Sequence, residues 1–296
     1  VNDELRVDKF FEKDKLLFQV MQNLLTEKGT ETIDATPGIL GESLAEEFPE
    51  VVYSVTVVPS KFNASKGVVK VGDKTLKSNG QYVTKDFLNV FSYKLLYGDK
   101  SKSLSSKNSI VISDELAVKL FKNIETAIGK TVEWSAQNII GLCTISGVFE
   151  SPPANATTQF DLLLSYELYK EYNPSEGWRD NSPHTYVLLK DGASLNELDA
   201  KVKGFIKSKD KQANETLFLQ KYSDRYLYGK YENGMPSGGR IEYVRLFSLI
   251  AFFILVIACI NFMNLFTAKA SQRIKEVGIK KAIGAKRNML VLQYLA

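Results

Sequence analysis

Residues 246–266 read LFSLIAFFILVIACINFMNLF. The run carries no charge, and as a helix it is about 30 Å long, the thickness of a bilayer's hydrocarbon core. Fourteen of its residues are Leu, Ile, Phe or Val, each worth roughly 0.3–0.6 kcal/mol of insertion free energy near the membrane centre. Asn261 and Asn264, near one end, do not reverse that balance. A buried helix of a water-soluble protein rarely runs this long without a polar face. The reading is a transmembrane helix.

The flanks orient it, because Lys and Arg are retained on the cytoplasmic side during insertion. The twenty residues before the run hold Lys230, Arg240 and Arg245, whereas the twenty after it hold Lys269, Arg273, Lys275, Lys280, Lys281 and Lys286. Residues before about 245 are therefore expected to be extracytoplasmic and those after about 267 cytoplasmic. From residue 267 on the net charge is +6, which leaves −2 for residues 1–266 of a chain at +4. The basic balance is a local topology signal, and it argues against a nucleic-acid surface.

Upstream lie roughly 240 residues, enough for one large or two modest cores. Cys143 and Cys259 are the only cysteines, so no disulfide forms within the extracytoplasmic part and packing must stabilise it. The chain opens at Val1 without a signal-like segment, and a new apolar stretch begins at Met289. An earlier membrane helix and further ones after Ala296 are expected in the full protein.

The first third reads strand, helix, strand. Residues 15–22 (KLLFQVMQ) are a strand candidate, and Thr36-Pro37 offers an N-cap with proline at N1. Leu40, Leu44 and Phe48 follow at helical spacing up to Pro49, then residues 51–58 (VVYSVTVV) form a β-branched run. The pattern recurs downstream: residues 185–190 (TYVLLK), a helix opened by a capping box of Ser194 and Glu197 with Leu195, Leu198, Val202, Phe205 and Ile206 on one face, then residues 216–220 (TLFLQ). Two such halves predict a split βαβ, ferredoxin-like lobe interrupted by a long insertion.

The insertion shows strands at 67–71 and 109–112, a helix capped by Ser113, and paired strands at 131–134 and 139–149. The expected division is a porter-like lobe at 1–60 and 184–233, an inserted second lobe at 61–183, and a Gly-rich membrane-proximal joint at 234–245. The transmembrane helix at 246–266 and a cytoplasmic segment at 267–296 follow. The fold class is α+β, with a transmembrane α-helix and cytoplasmic helices at its end.

Catalytic chemistry is hard to assemble from these residues. His184 is the only histidine and reads as a loop residue beside Pro183, which leaves no multi-His metal site. Gly129-Lys130-Thr131 imitates the end of a phosphate loop, yet Ile124 stands where its first glycine belongs. No catalytic, metal or cofactor site is expected, and no cofactor.

After the apolar run, Ile274, Val277, Ile279 and Ile283 are too many for a solvated tail. Gly278 inside that pattern costs about 1 kcal/mol relative to alanine, which close approach of another backbone would explain. Gly284 suits the left-handed position that ends a helix. A basic amphipathic segment on anionic lipid is the plainer account. Asn261 and Asn264, one turn apart, could hydrogen-bond to a neighbouring helix or reach the interface.

The stretch NFMNLFTAKASQRIKEVGIKKAIGAKRNMLVLQYL (261–295) resembles the FtsX-like permease domain of ABC transporters, through a Glu-aliphatic-Gly-Ile-basic-basic-Ala-aliphatic-Gly-Ala signature at Glu276, Val277, Gly278, Ile279, Lys280, Lys281, Ala282, Ile283, Gly284 and Ala285. SIVISDELAVKLF (109–121), AIGKTVEW (127–134) and SGVFESPPANATTQFDLLLS (146–165) resemble, more loosely, the MacB-type periplasmic core. The resemblance implies a non-catalytic permease subunit of a bacterial inner-membrane ABC transporter of the mechanotransmission type. Its implied partners are a separate cytoplasmic ATPase, a second permease copy or paralogue, membrane lipid, and a periplasmic partner or substrate. Glu276, Gly278, Ile279, Lys280, Lys281 and Gly284 become the candidates for ATPase coupling. The first, third and fourth membrane helices of such a permease are missing from this stretch. The rival reading is a single-pass, membrane-anchored sensor or binding ectodomain with no ATPase partner.

Overall fold

The computed structural model describes residues 2–174, 177–284, 286 and 289. They fall into two units, Asn2–Ile241 and the chain from Glu242 on. In chain order the first unit runs α1 (Asn2–Leu5), β1 (Leu17–Thr26), β2 (Gly29–Ile33), α2 (Leu40–Glu47), β3 (Val51–Val58), β4 (Lys66–Val71), β5 (Lys74–Val83) and α3 (Phe87–Val90). It continues through β6 (Leu95–Gly98), β7 (Ser109–Ser113), α4 (Asp114–Phe121), β8 (Thr131–Ala136), β9 (Ile139–Phe149), β10 (Leu162–Ser165) and α5 (Tyr166–Tyr172). Then come β11 (His184–Leu189), α6 (Leu195–Val202), α7 (Phe205–Lys209), β12 (Thr216–Lys221), β13 (Lys230–Glu232) and β14 (Met235–Gly238). The last element is α8 (Arg240–Ala282), only the start of which belongs to this unit.

Strands β3, β11, β1 and β12 lie side by side in that order, each neighbouring pair antiparallel. Helix α2 follows β1 and its β2 hairpin and leads to β3, while α6 and α7 join β11 to β12. This is the split βαβ arrangement, and residues 59–183 replace the hairpin that would join its middle strands. The helices earn their places by burying one apolar face each. Leu40 and Leu44 of α2 and Leu198, Val202, Phe205 and Ile206 of α6 and α7 pack on Val20, Val187 and Leu217.

In the insertion, β10, β7, β9, β8, β4 and β5 follow one another, and β5 pairs back to β10. The six strands thus close on themselves, which removes the exposed edges that an open sheet of this size would carry. Trp134 fills the middle with no exposed surface, and its indole Nε1 donates to the Tyr82 hydroxyl over 2.8 Å. A long strand makes the bridge between lobes: β5 pairs with β4 along its first part and with β3 at Tyr82 and Val83. Beneath that bridge sits a cluster of aromatic rings including Phe87, Phe91, Tyr93, Phe160, Tyr186 and Tyr222, with Phe91 and Tyr186 centred 5.2 Å apart.

Ser113 and Ser194 cap α4 and α6 as expected, accepting from the amides of Leu116 and Glu197. Four details differ from the sequence reading. Thr36 caps nothing: its hydroxyl is buried against Thr185 and the Pro183 carbonyl, and α2 begins at Leu40, whose amide bonds Pro37. The helix expected to continue from Ser194 to Ile206 breaks at Lys203 and Gly204, and Leu195, the first residue of α6, is exposed. His184 is the buried first residue of β11. In the Gly-rich stretch 230–238 a hairpin forms, with Asn233 and Gly234 at φ +49° and +78°, the two left-handed positions of a tight turn.

One glycine tests the closed sheet. A Cβ on Gly67 would lie 2.4 Å from the Ser135 carbonyl oxygen and 2.7 Å from the Trp134 ring, and backbone cannot step aside as a side-chain tip can. Gly67→Ala is therefore expected to destabilise the domain by about 1–3 kcal/mol, measured as a lowered urea midpoint with an unchanged slope.

Candidate membrane helix and inter-lobe cleft

The helix α8 is unbroken over 43 residues, about 64 Å at its regular rise. Its most apolar stretch has a mean hydropathy of 2.7 and none of it is buried. Leu255 and Phe262 are 62% and 64% exposed. Each such side chain facing water would forgo roughly 1.5–3 kcal/mol of burial, so the helix requires an apolar surround on every side. Two of its hydroxyls are satisfied from within: Ser248 donates to the Val244 carbonyl at 2.6 Å and Thr267 to the Met263 carbonyl at 2.8 Å. Asn261 and Asn264 are exposed, and among the described residues their side chains make no hydrogen bond.

The charged segment is the uninterrupted continuation of that helix. Glu276, Gly278, Ile279, Lys280 and Lys281 occupy its last two turns, and Glu276 and Lys280 stand four residues apart, on one face. Gly284 follows at φ +94°, its amide bonded to the Lys281 carbonyl. A Cβ on Gly278 would meet nothing within 4 Å, so the described chain supplies no backbone crowding there. Ile274, Ile279 and Ile283 are exposed. The signature's last position, Ala285, and the apolar residues 290–296 lie outside the described residues.

The folded unit holds a second feature, a cleft of about 400 Å³ between its lobes. His184 is one of its lining residues, with Nε2 3.4 Å from Asp34 Oδ2 and Nδ1 3.3 Å from the Tyr186 hydroxyl. Lys61 donates to the same Asp34 oxygen over 3.1 Å. Arg225 Nη1 donates to the Tyr186 hydroxyl and to Gln19 Oε1, each over 3.1 Å, and Nη2 donates to Thr157 Oγ1 over 3.0 Å. Nη2 also lies 3.6 Å from the buried carboxylate of Asp8.

Burial lowers the His184 pKa to about 4 against the pull of Asp34, so the ring is neutral at pH 7. Burial opposes the Arg225 charge, but Tyr222, Tyr186 and Asp8 outweigh it and the guanidinium stays protonated. Sequence reading missed this network because its members stand far apart: Arg225 is 206 residues from Gln19 and 68 from Thr157. A lone arginine in a Tyr-rich stretch has no periodicity to betray it.

The sign of the pH effect follows. A histidine whose folded pKa lies below the ordinary value of about 6.5 gives stability that is complete above 6.5 and lost as pH falls toward 4. The chain's unfolding temperature is expected to fall between pH 7 and 4, by an equivalent on the order of 1–3 kcal/mol. His184→Gln should flatten the slope in that window, as read by near-ultraviolet circular dichroism at several pH values. Asp34, also held low although burial opposes it, through His184 and Lys61, adds its loss only below pH 4.

Comparison with known proteins agrees with both units. A sequence model described as the MacB-like periplasmic core domain matches residues 2–205, and one described as the FtsX-like permease C-terminal matches residues 248–296. The macrolide export ATP-binding/permease protein MacB of Aggregatibacter actinomycetemcomitans is 26% identical over 261 residues, covering 82% of this chain and 36% of that protein. The chain thus spans little more than a third of that relative's length. Among solved structures, a permease-protein domain from Porphyromonas gingivalis superposes with a TM-score of 0.59 at 22% identity, over 72% of this chain and 93% of that one. The periplasmic region of MacB from Actinobacillus actinomycetemcomitans gives 0.51 at 15% identity, over 73% and 95%. At these identities the likeness speaks for the fold. With an extracytoplasmic-type domain, a helix apolar all round and two family models covering the chain, this protein belongs to the MacB/FtsX-like family of ABC transporter permeases.

Proposed function

We propose that the chain is part of a non-catalytic permease subunit of the mechanotransmission type, in which a separate cytoplasmic ATPase moves an extracytoplasmic domain that acts on a substrate or partner outside. The observation that carries this reading is the continuity of α8, one rigid rod from Arg240 through the apolar run to the basic signature. A rod without a break passes on rotation or displacement that a loop would absorb. The chain's site is the bacterial inner membrane, with residues before about 245 outside the cytoplasm and those after about 267 inside.

The ATPase docks on the last turns of α8. Gly278 leaves room for a partner's backbone, Ile279 supplies an exposed apolar contact, and Glu276, Lys280 and Lys281 fix the register by charge. Gly284 turns the chain away. The exposed asparagines Asn261 and Asn264 pair with another helix of the permease or of a second copy or paralogue, and lipid covers the remaining apolar surface. The chain divides into a porter-like lobe (1–60 and 184–233), an inserted lobe (61–183) and a membrane-proximal segment (234–245); the separate cores around Leu44 and Val187 and around Trp134 support the first two. Macrolides, after which the Aggregatibacter relative is named, are one substrate class to assay.

Two measurements check this. In the complete permease reconstituted with its ATPase, Gly278→Leu is expected to cut permease-stimulated ATP hydrolysis at least tenfold while assembly in the membrane persists. Unchanged stimulation would count against docking at this segment. In intact cells a membrane-impermeant amine reagent should leave Lys280 and Lys281 unmodified and reach them after permeabilisation, whereas labelling from outside would reverse the proposed topology.

A further inference from the structure

Strand β5 presents its two faces to different surroundings. Tyr82 packs in the core of the inserted lobe, whereas Val83 belongs to the aromatic cluster. Side chains two apart on a strand share a face, so Asn79 and Gln81 lie on the Val83 side. Lys66 of β4 stands directly opposite Asn79 in the antiparallel register, and residues paired in this way share a face as well. Lys66, Asn79 and Gln81 all line the cleft of about 400 Å³. Polarity falls along that face: Lys66 and Asn79 are exposed, Gln81 is only 4% exposed, and Val83 is fully buried.

Gln81 is the member that ordinary packing leaves unexplained. Among the described residues its carboxamide makes no hydrogen bond, although the residue is almost wholly enclosed and lines the cleft. A buried amide without a partner is costly, and buried polar side chains are nearly always satisfied. The Asn79 carboxamide also makes no hydrogen bond among the described residues. The charges that line the cleft have a surplus as well. Lys61 is set against Asp34 and Arg225 against Asp8, while Lys66 has no ion-pair partner among the described residues. Phe87, Phe160 and Tyr222 supply an apolar lining. Phe87 and Phe160 meet edge to face at 6.1 Å, a packing that a further ring extends readily.

We propose that this cleft is a binding site for a small aromatic carboxylate. Its ring lies against the Phe87 and Phe160 side, its anionic group points toward Lys66, and the Asn79 and Gln81 carboxamides donate N–H bonds to it. A carboxylate is acceptor-only and offers about four lone-pair sites, which matches donors converging from two strands. The volume is at the lower end of small-molecule sites, of the order of 300–1,000 Å³. The proposal does not rest on the transport reading, since a chain with no ATPase partner would carry the same cleft.

Calorimetric titration of the complete permease in detergent, without nucleotide or ATPase, tests it. The probes are hydroxynaphthoate and indole acetate, each blanked against detergent alone. Saturable binding of at least one acid is expected, with a Kd below about 1 mM. Gln81→Leu should weaken it about fivefold or more and Lys66→Gln about threefold, with near-ultraviolet circular dichroism showing that each variant is folded. Naphthol, which lacks the carboxylate, should bind at least about fivefold more weakly than hydroxynaphthoate. Lys66→Gln alters an exposed side chain, so it decides the matter even where Gln81→Leu fails to fold. The proposal is overturned by the absence of saturable binding for both acids, by unchanged affinity in either folded variant, or by equal affinity for naphthol. ATPase stimulation in Gly278→Leu decides the transport reading separately.

Discussion

Water cannot solvate the surface of α8, and much else in this chain is arranged around that fact. A stretch apolar on every side satisfies its backbone internally and needs no partner strand or helix from the folded unit. Among the described residues, none of the run 246–266 belongs to the domain's cores, whose members all precede residue 242. The charge at the end of α8 is the complement of that constraint: the same helix that carries the apolar run ends in Lys280 and Lys281, whose charges are costly to place in lipid.

Within the folded unit the governing constraint is the sheet. Four antiparallel strands with helices on them make a lobe that could close with a short hairpin between β3 and β11. The chain instead leaves at Val58, builds a closed six-stranded lobe, and returns at His184. Both crossings pass the same place, and the polar residues there answer to it. Asp34 faces Lys61 and His184, one from each crossing. Arg225 and Asp8 tie in the chain's two other passages, beside Thr157. Charges so placed are costly to bury singly and are tolerated because each has several partners.

The exposed ion pairs on the folded unit's surface, such as Lys107 with Glu171, contribute little. The interior connections between lobes, the aromatic cluster and the Arg225–Asp8–Thr157 contacts, are buried or partly buried and screened less.

Composition and local pattern by themselves determined a good part of this protein. The span 246–266, the basic residues after it, the caps at Ser113 and Ser194, the β-branched strand at 51–58 and the FtsX-like signature all depend on neighbours within a few turns, which is why they could be read off directly. Only the tertiary structure decided the rest. Thr36 looked like a cap because threonine before proline usually is one, yet a buried partner at Thr185 claimed its hydroxyl. His184 looked like a loop residue because Pro183 precedes it, yet β11 begins there, and burial set its charge. The closure of β5 on β10 and the meeting of Asp8 with Arg225 join residues that sequence separates by scores to hundreds of positions, and contacts at such range leave no periodic trace in one chain.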